Sequence, residues 1–207
     1  AGASVTASKA VRIGSLATTW SIDTCPVESK LVYLFTDTAE LYSFHPPTKA
    51  LRRIGTLVCP SGAARPNSMA VSQDGTAYLN YSDGSLYRVN VRNASCQATT
   101  FVPPTGWTRF GMGFKPETSV SVNETLYIAG SGSQGLARVD IQTMQTTLIG
   151  AFSGVATGAA ELTGTADAEL FGYFLPSGTS GAMRVAKINP ANGVTSGMMQ
   201  TEVLILD

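Results

Sequence analysis

Asp74-Gly75-Thr76-Ala77-Tyr78-Leu79-Asn80-Tyr81-Ser82-Asp83-Gly84-Ser85-Leu86-Tyr87-Arg88-Val89-Asn90 is the stretch that decides the fold of this chain. Its two Asp-Gly pairs supply the positive φ that tight hairpin turns require. Thr76 to Tyr81 alternates between them as a strand should, and Leu86 to Val91 follows as the next strand. Upstream lies a short apolar strand, Ser68-Met69-Ala70-Val71, and downstream Gln97 to Val102 is a fourth. Strands this short, joined by turns this tight, form an up-and-down antiparallel meander.

The phrase that closes this stretch recurs. Leu86-Tyr87-Arg88-Val89-Asn90 has counterparts at Leu41-Tyr42-Ser43-Phe44-His45, Leu136-Ala137-Arg138-Val139-Asp140 and Val185-Ala186-Lys187-Ile188-Asn189. Each is an apolar residue, a spacer pair, a second apolar residue and a polar turn residue. A strand-built repeat of roughly 45–50 residues is the mark of a β-propeller. The expected fold is therefore all-β, a propeller of four-stranded antiparallel blades, with four recognisable blades plus a partial fifth in one domain over residues 1–207.

The first blade is expected at Leu31 to Phe35, Leu41 to Phe44 and Leu51 to Val58, with an innermost strand near Ser21 to Thr24. The third is expected at Phe110 to Phe114, Thr125 to Ala129, Leu136 to Ile141 and Thr146 to Phe152. The fourth is expected at Leu162 to Asp167, Leu170 to Phe174, Met183 to Ile188 and Val194 to Met199, with Val155 to Leu162 read as a loop. Outer strands share a second phrase, Arg53-Ile54-Gly55-Thr56-Leu57 and Leu148-Ile149-Gly150-Ala151-Phe152, which also stands at Arg12-Ile13-Gly14-Ser15-Leu16. That copy reads as an outer strand with no blade before it, and Val203 to Leu206 as a fresh strand after the fourth blade. Together they are the candidates for the partial fifth blade. The apolar C-terminal strand and the unmatched Cys25 favour an incomplete ring, open to self-association through its sheet edges.

Charged residues are only 14% of the chain, and fourteen basic residues balance fourteen acidic ones. A chain without a basic cluster lacks the phosphate-neutralising surface that nucleic acid needs. No apolar run approaches the length of a membrane helix. Of the three cysteines, Cys59 and Cys96 sit on equivalent outer edges of neighbouring blades and are expected to form a disulfide, the alternative being two buried free thiols. Cys25 then implies a missing segment, an intermolecular bond or a free thiol.

Ser68 to Val71, Asp74 to Tyr78 and Asp83 to Val89 resemble the repeats of NHL, YVTN and related secreted bacterial propellers. Cys59-Pro60, Phe110-Gly111-Met112-Gly113-Phe114 and Glu161-Leu162-Thr163-Gly164-Thr165-Ala166-Asp167 resemble uncharacterised secreted or lipoprotein-type bacterial propellers. The likeness spans roughly residues 25 to 190, and the chain departs from it after about Ala191. It implies a propeller in a secreted, cell-surface or periplasmic protein. It implies no activity, because propellers host many unrelated functions.

Few residues suggest chemistry. The single His, His45, fills a turn slot that Asn and Asp fill elsewhere, so it reads as a turn residue and not as part of a catalytic triad. Asp74 and Asp83 belong to their turns. Trp20, Arg65, Asn67, Trp107 and Arg109 lie in the leads into blades one to three, which share one face of a propeller. Aromatic, guanidinium and amide groups gathered there suit a polar ligand such as a carbohydrate or a protein segment. The alternative is a lactonase-type hydrolase with calcium held in the channel by Glu161 and Asp167, near Glu169. Three sequons begin at Asn80, Asn93 and Asn123, and Gly130 to Gly135 reads as a hairpin loop, not a phosphate loop. These signs favour an extracellular, non-enzymatic binding or assembly module without a cofactor.

Overall fold

The repeated phrase becomes the same strand of each successive sheet in a computed structural model of the chain. The structure describes residues 30–131, 134–154, 156, 158–176 and 182–200, and the backbone alone of 9–13 and 16–20. Blade 1 comprises β3 (Val32–Phe35), β4 (Glu40–His45) and β5 (Ala50–Thr56). Blade 2 comprises β6 (Pro66–Val71), β7 (Thr76–Tyr81), β8 (Leu86–Asn90) and β9 (Cys96–Ala98). Blade 3 comprises β10 (Phe110–Pro116), β11 (Glu124–Gly130), β12 (Leu136–Val139) and β13 (Thr146–Gly150). Blade 4 comprises β15 (Ala160–Gly164), β16 (Leu170–Phe174), β17 (Arg184–Ile188) and β18 (Val194–Gln200). Each blade is an antiparallel meander in chain order. The protein is an all-β propeller of four blades.

The phrase works because strand residues alternate between faces. Leu86 packs toward blade 3, while Tyr87 and Val89 pack toward blade 1. Leu136 faces blade 4, and Ala137 and Val139 face blade 2. Each interface is thus filled by both of its blades, and burying a side chain of leucine size contributes about 1.5–3 kcal/mol. The polar residue after the phrase folds the next turn. Asn90, Asp140 and Asn189 each accept a backbone N–H two residues on, at 2.8, 2.8 and 2.9 Å. Four residues after the turn former, Lys49, Ala94, Met144 and Gly193 all take the left-handed conformation. His45 serves the same turn through its Nδ1, 2.7 Å from the Thr48 hydroxyl.

The second phrase encodes a bulge. Leu41 pairs with Gly55 and Tyr42 with Arg53, leaving Ile54 over, and Leu136 pairs with Gly150 and Ala137 with Leu148, leaving Ile149 over. Cys59 and Cys96 form the expected disulfide, with Cα atoms 5.0 Å apart. It ties blade 1 to blade 2, and closing a loop of this size contributes on the order of 3–4 kcal/mol.

Several expectations change. Arg12 to Leu16 is not one outer strand. β1 (Lys9–Ile13) and β2 (Leu16–Trp20) pair as a separate hairpin, with Ile13 opposite Leu16. The inner strand of blade 4 starts at Ala160, inside the segment read as a loop. A short strand, β14 (Ser153–Gly154), adds to the outer edge of that blade by parallel pairing with β18. Strand β9 ends at Ala98, because the Thr99 hydroxyl binds the Leu86 carbonyl at 2.6 Å in place of the ladder. Ser21 to Thr24, Cys25 and Val203 to Leu206 lie outside the described residues.

Candidate functional site

Inner strands β6, β10 and β15 run side by side, so the blades present two ends. The upper end holds the starts of these strands. The lower end holds the turns into the second strands.

The upper end is occupied by its own hydrogen bonds. Asn80 is 0% exposed and uses both ends of its amide. Its Oδ1 accepts from Asn67 Nδ2 at 2.9 Å and from the Phe110 N–H at 3.4 Å. Its Nδ2 donates to the carbonyls of Tyr81 and Ser85 at 3.0 and 3.3 Å. Asn67 Nδ2 also donates to the Phe110 carbonyl at 3.2 Å, stitching blade 2 to blade 3. The Ser68 hydroxyl donates to Glu161 Oε2 at 2.7 Å, reaching from blade 2 to blade 4. Gly111 on β10 makes room for blade 4, since a Cβ there would stand 1.9 Å from the Ala160 carbonyl oxygen. Glu161 keeps an open side, but the protein crowding around it pushes its carboxyl up, against the Ser68 and Met112 hydrogen bonds that favour its charge.

The residues expected to bind a ligand divide accordingly. Trp107 is 4% exposed and packs near Phe110 in the core between blades 2 and 3, so it is a wedge and not an open platform. Asn67 is drawn into the stitch. Arg65 and Arg109 are exposed at the upper rim, and the side chain of Trp20 lies outside the described residues. Glu161 and Asp167 do not meet: Glu161 is near the start of β15 and Asp167 is in the turn beyond its end. Glu169 is engaged by Lys187. Among the described residues no group of three or more His, Cys, Asp or Glu side chains is placed to hold a metal ion. The sequon at Asn80 is inaccessible, whereas Asn93 and Asn123 are exposed.

The lower end is open. A cleft of about 1160 Å3 runs beneath blades 2, 3 and 4, lined by the turns at 72–74, 119–125, 140–142 and 163–166. Val120 on its rim is 90% exposed. Its carboxylates are held by the turns, Asp74 and Asp140 within their own and Glu124 across to the turn of blade 2. Asp74 accepts from the Ser72 hydroxyl and the Thr76 N–H, which keeps its carboxyl below the ordinary range despite burial. Asp140 accepts the N–H groups of Gln142 and Thr143 at 2.8 and 3.0 Å, and these hold its carboxyl low. Glu124 accepts the Gln73 N–H at 2.7 Å, while burial pushes its carboxyl up.

The cations differ. Arg88 and Arg138 line the cleft and are exposed, with no salt bridge to a carboxylate among the described residues. Each stands opposite a tyrosine on the neighbouring strand, Tyr78 for Arg88 and Tyr127 for Arg138. Lys187 stands opposite Phe171 in blade 4. The Arg88 guanidinium carbon lies 5.7 Å from the centroid of the Tyr78 ring. Tyr78 is 1% exposed; burial pushes its phenol up, and the charge and hydrogen bonding of the neighbouring Arg88 guanidinium act against that push.

The sequence reading missed this end although its signal stood in the repeat. The third position of the phrase is Arg88, Arg138 and Lys187 in three consecutive blades, a shared slot passed over as spacer.

No protein-family profile and no curated protein matches the chain. Solved structures match its fold. One is the structure of a nidogen/laminin complex, at TM-score 0.55 and 10% identity, covering 83% of this chain and 62% of that one. Another is a protein of unknown function from Bacteroides thetaiotaomicron, at TM-score 0.56 and 12% identity, covering 89% and 49%. A third is the extracellular domain of a putative one-component system from B. thetaiotaomicron, at TM-score 0.50 and 12% identity, covering 91% and 26%. The chain thus spans under two thirds of the length of each of these proteins.

Proposed function

We propose that this chain is a non-enzymatic binding module of a secreted or surface-exposed protein, with the lower cleft as its binding face. The observation that carries the reading is the contrast among the cleft's charged groups: its carboxylates are anchored by donors of the surrounding turns, while the guanidinium groups of Arg88 and Arg138 are exposed with no salt bridge to a carboxylate among the described residues. A disulfide suits an oxidising compartment, and one fold neighbour is an extracellular domain. The ligand is a segment of a protein or saccharide chain, which a groove of this length and mixed polarity accommodates.

The test is binding of the purified chain to peptide and glycan arrays, repeated with Ser119→Trp, which puts a bulky ring on the exposed cleft rim, and with Arg109→Ala at the upper rim. Array ligands lost with Ser119→Trp and kept with Arg109→Ala are the expected result. The reverse pattern would return the site to the upper rim, and turnover of a bound array ligand would replace the binder with an enzyme. Light scattering over a concentration series separates a second copy of the chain from a foreign partner.

A further inference from the structure

We infer that the uncovered face of blade 1 is the seat of the N-terminal hairpin β1–β2, which docks there as part of a fifth blade. This surface is separate from the lower cleft, so the hairpin and a cleft ligand do not compete. Each blade has one face turned to the blade after it and one turned to the blade before it. Strand β7 turns Ala77 and Leu79 back to blade 1, opposite Val89 and Tyr87. Strand β11 turns Leu126 and Ile128 back to blade 2, opposite Val139 and Ala137. On β16, Leu170 is turned back to blade 3, opposite Ile188. Ala77, Leu79, Leu126, Ile128 and Leu170 are all 0% exposed.

In blade 1 the same positions are Val32 and Leu34, opposite Phe44 and Tyr42. They are 48% and 47% exposed, and Leu51, paired with Phe44 from the other side, is exposed too. Blade 1 thus carries the apolar face of an interface without a blade over it. Separate apolar cores join blade 1 to 2, 2 to 3 and 3 to 4, and among the described residues none joins blade 4 to blade 1. An apolar face of this kind is a docking surface.

The hairpin is the element that needs such a seat. It forms a sheet of its own, paired with no blade strand, and two strands alone are marginally stable in water. Its register puts Val11, Ile13, Leu16 and Trp20 on one face. Residues 21–31 tie Trp20 to Val32, and a link of that length reaches about 36 Å, against about 14 Å across a four-stranded blade. Such a tether holds the hairpin at an effective concentration on the order of millimolar, which a free partner does not match. The Ser68 hydroxyl of blade 2 reaches Glu161 of blade 4 at 2.7 Å, so the four blades already curve tightly. The arc left between blades 4 and 1 suits a tethered two-stranded element better than a second four-blade copy.

Photo-cross-linking on the full chain tests this. Benzoylphenylalanine replaces Leu34 in one preparation and Val58, which is 79% exposed beyond the end of β5, in another. Mass spectrometry then identifies the linked peptide. Position 34 should link to residues 9–20 of the same chain, and position 58 should not. Ile13→Asp should abolish the link and, in the otherwise unmodified chain, lower the melting temperature by about 2–4 °C or more. A link from position 34 to a second copy, to any other segment or to nothing overturns the inference. So does an Ile13→Asp chain in which the link to 9–20 persists, since the tether alone would then explain it.

Discussion

The two ends of the blades are built from similar residue types and differ in what those residues are doing. At the upper end Asn67, Asn80, Ser68 and Glu161 satisfy one another across three blades. At the lower end the turns hold the carboxylates, Asp74 and Asp140 within their own turns and Glu124 through the Gln73 N–H of blade 2, leaving Arg88 and Arg138 exposed along a cleft. Polar residues at a propeller mouth are thus no mark of a binding site in themselves. A closed network holds blades together, and an unfinished one leaves hydrogen-bonding capacity for a partner.

The comparison breaks most sharply at Gly111. A branched side chain there would drive into the backbone of blade 4, so Gly111→Val should lose about 3 kcal/mol or more, or fail to fold, in chemical denaturation. Near wild-type stability would mean that the inner strands are not tightly packed at the upper end. Asn80→Ala removes a fully buried amide and strands its partners, at a cost of about 2–3 kcal/mol. A loss of a few tenths would show the upper network to be dispensable. At the lower end the effect should be smaller. Tyr78→Phe deletes a hydroxyl whose neighbour is the exposed Arg88 guanidinium, so stability should change by less than about 1 kcal/mol; a loss as large as that of Asn80→Ala would show the lower end to be as tightly networked as the upper.

The smallest effect is a slope in pH. Because Glu161 is pushed up in the folded state, folding favours its protonated form, so the wild type loses stability from this group as pH rises above the ordinary carboxylate value of 4.5. Glu161→Gln keeps an acceptor for Ser68 without the charge. Its melting temperature should exceed that of the wild type at pH 7.5, with the gain shrinking as pH falls toward 4.5. A gain that grows on acidification would sink this account of the upper end.

Much of the fold could be read from residues whose effects are local. Asp-Gly turns, the Leu-x-x-Val phrase and its polar follower place β4, β8, β12 and β17 almost to the residue, because face alternation and turn geometry act over a few positions. The disulfide was legible for the same reason, as both cysteines sit at equivalent blade edges. The site was not. Trp107 was singled out by residue type, yet its burial depends on Phe110 and on blade 2 packing over it. Asn80 resembled a glycan acceptor until its four partners, drawn from two blades, came together. Arg88 and Arg138 were hidden in plain repetition, since only the cross-strand register sets each beside a tyrosine over an open cleft. Glu161 and Asp167 are close in sequence, but a strand runs between them, and strands separate their ends by about 3.3 Å per residue.

The bond between Cys59 and Cys96 also has a mechanical meaning. It bridges a sequence separation of 37 residues that contains the inner three strands of blade 2. Fully drawn out, that segment would measure on the order of 120 Å, and none of this slack can be released while the bond stands. Pulled from its two termini, the molecule would lengthen through its later blades and keep blade 2 as an inextensible link. Reducing agent would restore the hidden length as a longer contour in a force–extension trace. In a surface protein under shear, the blade that carries Tyr78 and Arg88 would therefore be the last to give up its shape.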